Sequence, residues 1–214
     1  MISFDRDELD FQLFDFIGLD DLGQGPFEDY SREASVSILD TAENIARDKF
    51  LPHAEKSDQC EPVFQDGKAI LIPEIAEALD AFRDAGFFGA SFSHAHGGLQ
   101  MPETLRSAVS YLFFTANIGT SGYILLTNGA ANVLAAFADE KQKTDFLHPL
   151  IEGRFFGTMC LSEPHAGSSL ADITTTASPL DDGSFRLRGR KMWISGGEQE
   201  ISENIVHLVL AKVP

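Results

Sequence analysis

Two short stretches carry the residue types that could hold a ligand. The first is Gly157-Thr158-Met159-Cys160-Leu161-Ser162-Glu163-Pro164-His165-Ala166-Gly167-Ser168. It reads as a strand running into a Glu-Pro turn, then a small-residue loop whose backbone can approach a ligand closely. About 25 residues later comes Gly189-Arg190-Lys191-Met192-Trp193-Ile194-Ser195-Gly196-Gly197, read as a second strand that delivers an indole and a hydroxyl to a glycine turn. Hydroxyls and an indole on adjacent strands suit a flat heteroaromatic ring, with serines at its polar edge and Trp193 over its hydrocarbon part. The same residues also suit an ordinary sheet, with solvated strand-end serines and a tryptophan in the core.

Other reactive side chains favour plainer roles. His94 and His96 form an i, i+2 pair on a loop with no third ligand nearby in sequence, a weak metal signal. His207 lies in an apolar run and reads as a packed or edge histidine. Cys160 reads as a small buried hydrophobe and not a nucleophile. Cys60 and Cys160 form no CxxC pair and are expected as reduced thiols. The formal charge of −17 argues against nucleic-acid or anionic-membrane surfaces, and it sits awkwardly with any anionic ligand. The acidic N-terminus resembles neither a secretory nor a transit segment, and no apolar run approaches membrane-span length, so the expected compartment is cytoplasmic.

The elements that must position these stretches follow from periodicity. Helices are expected over Phe4 to Leu22 (apolar Leu9, Leu13, Phe16, Ile17), Glu28 to about Leu51 (Ile38, Ala42, Ile45, Ala46), and from Pro73, with Ile75, Leu79 and Phe82 on one face and Gly86 at C′. The first of these ends at the Gly23-Gln24-Gly25-Pro26 break. Residues 53–72 read as a loop around Gln65-Asp66-Gly67-Lys68. A glycine-rich loop, Gly86 to Gln100, precedes a helix from Pro102 to about Ala116. Thr120 to Ala138 is apolar nearly all round, as at the centre of a bundle. Asp139 is an N-cap for a short helix ending near Gly153. Beyond it, Phe156–Leu161, Ile173–Ala177, Phe185–Leu187, Met192–Ile194 and Ile205–Ala211 read as strands separated by turns at Asp181-Asp182-Gly183 and Gly196-Gly197. The fold class is therefore α+β: an all-α N-terminal bundle over 1–153, with 1–27 as an extra N-terminal helix, then an incomplete antiparallel β-barrel domain over 154–214.

The paired stretches resemble the flavin-binding motifs of the acyl-CoA dehydrogenase family, a Cys-aliphatic-Thr/Ser-Glu-Pro-x-x-Gly-Ser block followed by Gly-x-Lys-x-Trp-Ile-Thr/Ser. Upstream, Ala90 to Pro102 with His96-Gly97-Gly98, and Asp139-Glu140-Lys141-Gln142-Lys143 to Leu150, are similar to further family segments. The look is closest to the longer bacterial subgroup that includes methylmercaptopropionyl-CoA dehydrogenases. The resemblance implies FAD as cofactor and an acyl-CoA thioester as substrate, desaturated between its α and β carbons. It also implies electron-transfer flavoprotein or a similar acceptor, and a homo-oligomer. It assigns Met159, Cys160, Leu161 and Ser162 to the strand beside the flavin, and Gly167 of the motif loop to cofactor binding. Trp193, Ile194 and Ser195 would flank the ring system, and Ser168 would contact the CoA portion. It makes Glu163 a turn residue, puts the catalytic base in a C-terminal helical domain outside these 214 residues, and so implies a fragment inactive by itself. Ser169, His165 and His96 depart from the family's usual residues and leave the substrate open. An acyl-CoA oxidase of the same fold, and a non-catalytic helical interaction module, remain as alternative readings.

Overall fold

Asn117 is the hinge about which the helical part is organised. In this computed structural model, which describes residues 4–22 and 25–213, helix α5 (Glu103–Ala116) ends and α6 (Ile118–Phe137) begins with this single extended residue between them. Its backbone N–H closes α5 on the Phe113 carbonyl, while its side-chain oxygen accepts from Thr120 N at 3.1 Å and caps α6. Its Nδ2 donates to the Phe50 carbonyl at 3.3 Å. Nearby, buried His53 accepts the Thr120 hydroxyl through Nε2 and donates from Nδ1 to the Lys49 carbonyl, both at 2.8 Å.

The other helices pack around this pair. Helix α1 (Arg6–Asp10) widens into a π-helical stretch, Phe11–Phe16. Helix α2 (Arg32–Ile45), capped by Ser31, extends through a second such stretch to Phe50 and buries Leu39, Ala42, Ala46 and Phe50. Then come α3 (Ala54–Gln59), a hairpin of β1 (Val63–Gln65) and β2 (Lys68–Ile70), and α4 (Pro73–Asp84). Phenylalanines link the layers. Phe113 lies 4.8 Å from both Phe50 and Phe82, Phe82 lies 5.0 Å edge-on to Phe88, and Phe88 reaches Phe156 of the first long strand at 5.5 Å. Tilted and edge-to-face pairs of this kind add to their area burial.

After the short helices α7 (Glu140–Gln142) and α8 (His148–Ile151), the chain turns to strands: β3 (Phe155–Cys160), β4 (Thr176–Pro179), β5 (Phe185–Arg188) and β6 (Asn204–Val209). β4 and β5 form an antiparallel hairpin, whereas β3 and β6 pair in parallel, Phe155 opposite Asn204 through Cys160 opposite Val209. The α+β class holds, with a helical N-terminal part and a β part that does not close into a barrel among the described residues. β3 rests directly on α6. A Cβ on Gly157 would stand 2.5 Å from that of Ala130, and Gly157 N donates to Thr127 Oγ1 at 3.1 Å.

Several local expectations are corrected. Residues 4–22 are not one helix. The π-helical stretch and Gly18, at φ +73°, rotate the apolar face, so Leu13, Phe14 and Leu19 are buried while Phe16 and Ile17 lie in solvent. Residues 53–72 hold a helix and a hairpin, turned by Asp66 (φ +52°) and Gly67 (φ +82°). The parallel β3–β6 pair departs from a purely antiparallel sheet because a long crossover, holding the β4–β5 hairpin, separates its strands. Helix α6 buries Thr120, Ile124, Thr127 and Ala130 but leaves Ile118, Leu125 and Phe137 exposed, so it lies at the side of the helical layer and not its centre. Met192–Ile194 is not a strand. The Gly23-Gln24 part of the expected break, with Met1–Ser3 and Pro214, lies outside the described residues.

Two outcomes test this frame. Phe113→Ala should cost about 3–5 kcal/mol in urea unfolding, as a large aromatic removed from a closed core. Burial pushes His53 below its ordinary range, against the opposing pull of Glu74 and Glu77 and together with Lys56. The folded chain thus resists a proton that the unfolded chain accepts below about pH 6.5. Stability from His53 is complete above that pH and declines below it. The stability gap between the native chain and His53→Gln should therefore narrow from pH 7 to pH 5 in thermal melts.

Candidate functional site

The two motif stretches meet through one buried carboxylate. β3 ends at Cys160, and the turn that follows directs the Glu163 side chain inward, where it is 1% exposed. Its Oε2 accepts from Thr174 N at 2.7 Å and Thr174 Oγ1 at 2.8 Å. Its Oε1 accepts from Thr175 N at 3.0 Å, Thr175 Oγ1 at 2.5 Å and Lys191 Nζ at 3.0 Å. Lys191 also donates to the Leu161 carbonyl at 2.9 Å, and Met192 N donates to the Ser162 carbonyl at 3.0 Å. Thr175 foremost, with the Thr174 and Thr175 amides and Lys191, holds the Glu163 carboxyl far below the usual carboxylate range despite its burial. With both oxygens occupied, Glu163 is a structural anion.

This clamp sets the segment that follows. Trp193 takes φ +58°, a left-handed conformation costly for a bulky side chain, and its ring is 75% exposed. The Ile194 carbonyl accepts from Gly197 N at 3.0 Å, closing a tight turn. That turn sets Ser195 and Gly196 against α6, where a Cβ on Gly196 would meet the Tyr123 ring at 3.3 Å. A cleft of about 170 Å³ lies between them, lined by Gly119, Gly122, Tyr123, Leu126, Ser195 and Gly196. Gly119 and Tyr123 also border a cavity of about 480 Å³ between α3, the start of α4 and the α5–α6 junction.

The nine expected site residues fall into four groups. Leu161 and Ser162 are joined to the 191–195 segment by the backbone and lysine contacts above. Met159 and Cys160 lie on β3, Cys160 buried, with Thr158 Oγ1 2.7 Å from Nδ1 of His207 across the sheet. Trp193 and Ile194 lead into the cleft, and only Ser195 of the nine lines it. Gly167 and Ser168 stand apart on an exposed loop, where Ser168 O accepts from Leu170 N at 3.0 Å. The small-residue face of α6 and the Glu163–Lys191 clamp were missed. The sequence holds only two glycines three residues apart in an apolar helix and a Thr174-Thr175-Thr176 run after a Glu-Pro turn, neither of which identifies a partner. His94 donates from Nδ1 to the Gly98 carbonyl at 3.0 Å, a local loop contact.

Comparison with known proteins places this arrangement. Residues 32–154 match the family described as Acyl-CoA dehydrogenase, N-terminal domain. A 3-methylmercaptopropionyl-CoA dehydrogenase of Ruegeria pomeroyi is 40% identical over 150 residues, which cover 70% of this chain and 26% of that protein. A butyryl-CoA dehydrogenase of Syntrophomonas wolfei is 30% identical over 204 residues, 94% of this chain and 31% of that protein. The chain thus spans roughly a quarter to a third of the length of these relatives. Among solved structures, an acyl-CoA dehydrogenase complexed with FAD from Bacillus anthracis superposes with a TM-score of 0.70 at 25% identity, covering 87% of this chain and 30% of that one. Butyryl-CoA dehydrogenase from Megasphaera elsdenii gives 0.64 at 26% identity, covering 76% and 41%.

Glu163→Gln tests the clamp. An amide cannot accept from all five donors, and its own N–H₂ would face Thr N–H groups. The variant should melt at a lower temperature, with faster amide exchange at 174–175 and 191–195. Because the folded carboxyl titrates below its unfolded value, the clamp's contribution is present above the unfolded value near pH 4.3 and is lost only as pH falls further. The wild-type exchange pattern should therefore be the same at pH 5 and pH 7.

Proposed function

The chain belongs to the acyl-CoA dehydrogenase family, and from that premise we propose that it forms the flavin-facing side of an FAD-dependent oxidoreductase that desaturates an acyl-CoA thioester. The observation that carries this reading is Trp193, an exposed indole held at a strained φ of +58° beside a cleft floored by glycines of α6. Strain at an exposed aromatic is the mark of a residue kept for a ligand and not for packing.

The residues fit a flat ring system with one polar edge. Trp193 and Ile194 flank it. Ser162 and the backbone N–H groups after β3 would hold its polar edge, and Ser195 would hold the ring on the side of the α6 cleft. Gly119 and Gly122 leave room along α6, where Tyr123 and Leu126 supply an apolar wall that excludes water. Gly167 belongs to the loop that holds the cofactor, and Ser168 beside it serves the CoA portion. A bound flavin supplies the hydride acceptor, and the chain orients the acyl group against it. No carboxylate here is assigned to α-proton removal, since Glu163, the one acid in the motif, has both oxygens engaged. The reading includes electron-transfer flavoprotein or a similar acceptor, a homo-oligomer and a cytoplasmic location. None of the described helices is long and apolar enough to cross a membrane.

Trp193 is the only tryptophan in the sequence, so its emission reports directly on the site. Titrating FAD into the 214-residue chain should quench it, with weak affinity. Ser162→Ala and Ser195→Ala should each weaken that binding, by about tenfold for a lost hydrogen bond to a buried ligand edge. Trp193→Gly, read by FAD fluorescence anisotropy, should weaken binding while leaving the melting temperature equal or higher, because glycine relieves the left-handed strain. FAD affinity unchanged by all three substitutions would remove this assignment.

A further inference from the structure

Charge is distributed unevenly in this acidic chain. Of its sixteen lysines and arginines, eleven are ion-paired with carboxylates. The five without a carboxylate partner among the described residues are Lys49, Arg186, Arg188, Arg190 and Lys212. Four of these five belong to one small patch of sheet.

The register puts three of them on one side, with Arg190 just beyond the end of β5. Arg188 stands opposite Thr176 and Arg186 opposite Ser178, so these four side chains share a face of the β4–β5 hairpin. Lys212 bridges to Thr176 from the other flank, with Lys212 N donating to the Thr175 carbonyl at 2.9 Å. On the opposite face Ala177 is buried, whereas Phe185 and Leu187 are about half exposed. β5 ends at Arg188, and Arg190 follows a bend at Gly189, where a Cβ would meet Thr175 Oγ1 at 2.2 Å. Arg186, Arg188 and Arg190 are all exposed. Alternate residues on a strand lie about 7 Å apart. The nearest acids in sequence, Asp181 and Asp182, occupy the hairpin tip, where Asp182 accepts from Ser184 N and its hydroxyl.

Two guanidiniums on one face of the hairpin, with the Lys212 ammonium and two hydroxyls beside them and exposed Arg190 just past the strand end, form a surface for several phosphate groups, which arginine forks engage bidentately. We propose that this face binds the phosphates of the nucleotide end of the acyl-CoA substrate. The inference rests on the acyl-CoA reading above and answers the conflict between an anionic substrate and a chain of net charge −17. A coenzyme A molecule carries a diphosphate and a separate ribose phosphate, more negative charge than the diphosphate of FAD alone. The group of unneutralised cations favours the former.

The test titrates adenosine 3′,5′-bisphosphate into the 214-residue chain by calorimetry at low ionic strength. It compares native protein with the triple variant Arg186→Gln/Arg188→Gln/Arg190→Gln, and with Lys49→Gln as the control for an unpaired cation elsewhere. The expected result is binding that weakens about tenfold or more in the triple variant and not in the control, and that is weaker for ADP. Absence of binding to the native chain, equal affinity in the triple variant, or displacement by inorganic phosphate at equal concentration would overturn it. So would a triple variant that lost only its quenching of Trp193 by FAD, since the face would then serve the flavin diphosphate. Trp193 quenching keeps the two readings separate. If FAD fails to quench in native protein while bisphosphate binding still depends on the arginines, the flavin assignment fails and the phosphate face stands.

Discussion

The placement of the whole β part depends on one close approach. Gly157 lets β3 lie against the backbone of α6, with its N–H on Thr127 Oγ1, and Thr127 passes its own proton back to the Tyr123 carbonyl at 2.7 Å. No other residue type fits, because any Cβ would fall within 2.5 Å of Ala130 and 3.2 Å of the Thr127 backbone. This contact fixes where the strand leaves the helical layer, and so where the turn at 161–163 stands relative to the glycine face of α6. The phenylalanine series ending at Phe156 supplies apolar adhesion at the same seam.

From there, position passes outward through polar contacts. Glu163 gathers five donors from two separate segments in a site that water does not reach, where each bond is stronger than it would be at the surface. The arrangement makes the 191–197 segment rigid without regular hydrogen-bonded pairing. That explains how a bulky residue can be kept at positive φ: the surroundings over-determine its backbone. The irregular segment carries the exposed Trp193 and leads into the tight turn that sets Ser195 at the cleft.

Periodicity made the helices α4 and α5 legible, because each has a single buried face and a local signal, Pro73 and Gly86 for one and Pro102 for the other; α7, which buries nothing, was marked only by its cap, Asp139 with Gln142. It failed at residues 4–22 and at 53–72. In the first, a π-helical stretch breaks the 3.6-residue phase on which the reading depends. In the second, the helix has only six residues and no buried face to reveal it. For the site, local motifs identified the two stretches, and the structure joins Ser162 to the segment carrying Trp193. The α6 side of the cleft was not legible, since its contribution is the absence of side chains at Gly119 and Gly122, and such an absence has no periodicity. The role of Lys191 depends on a partner 28 residues away, a distance at which spacing carries no information.

The single-residue joint at Asn117 has an evolutionary corollary. Each residue of an α-helix advances about 100° around the axis. One codon gained or lost between α5 and α6 would therefore turn the entire surface of α6, carrying Gly119, Gly122 and Tyr123 away from the cleft and Thr127 away from Gly157. Length variation in this lineage should accordingly gather at the Asp181-Asp182-Gly183 tip and in the β1–β2 hairpin, and the α5–α6 junction should hold constant length even where its residues change.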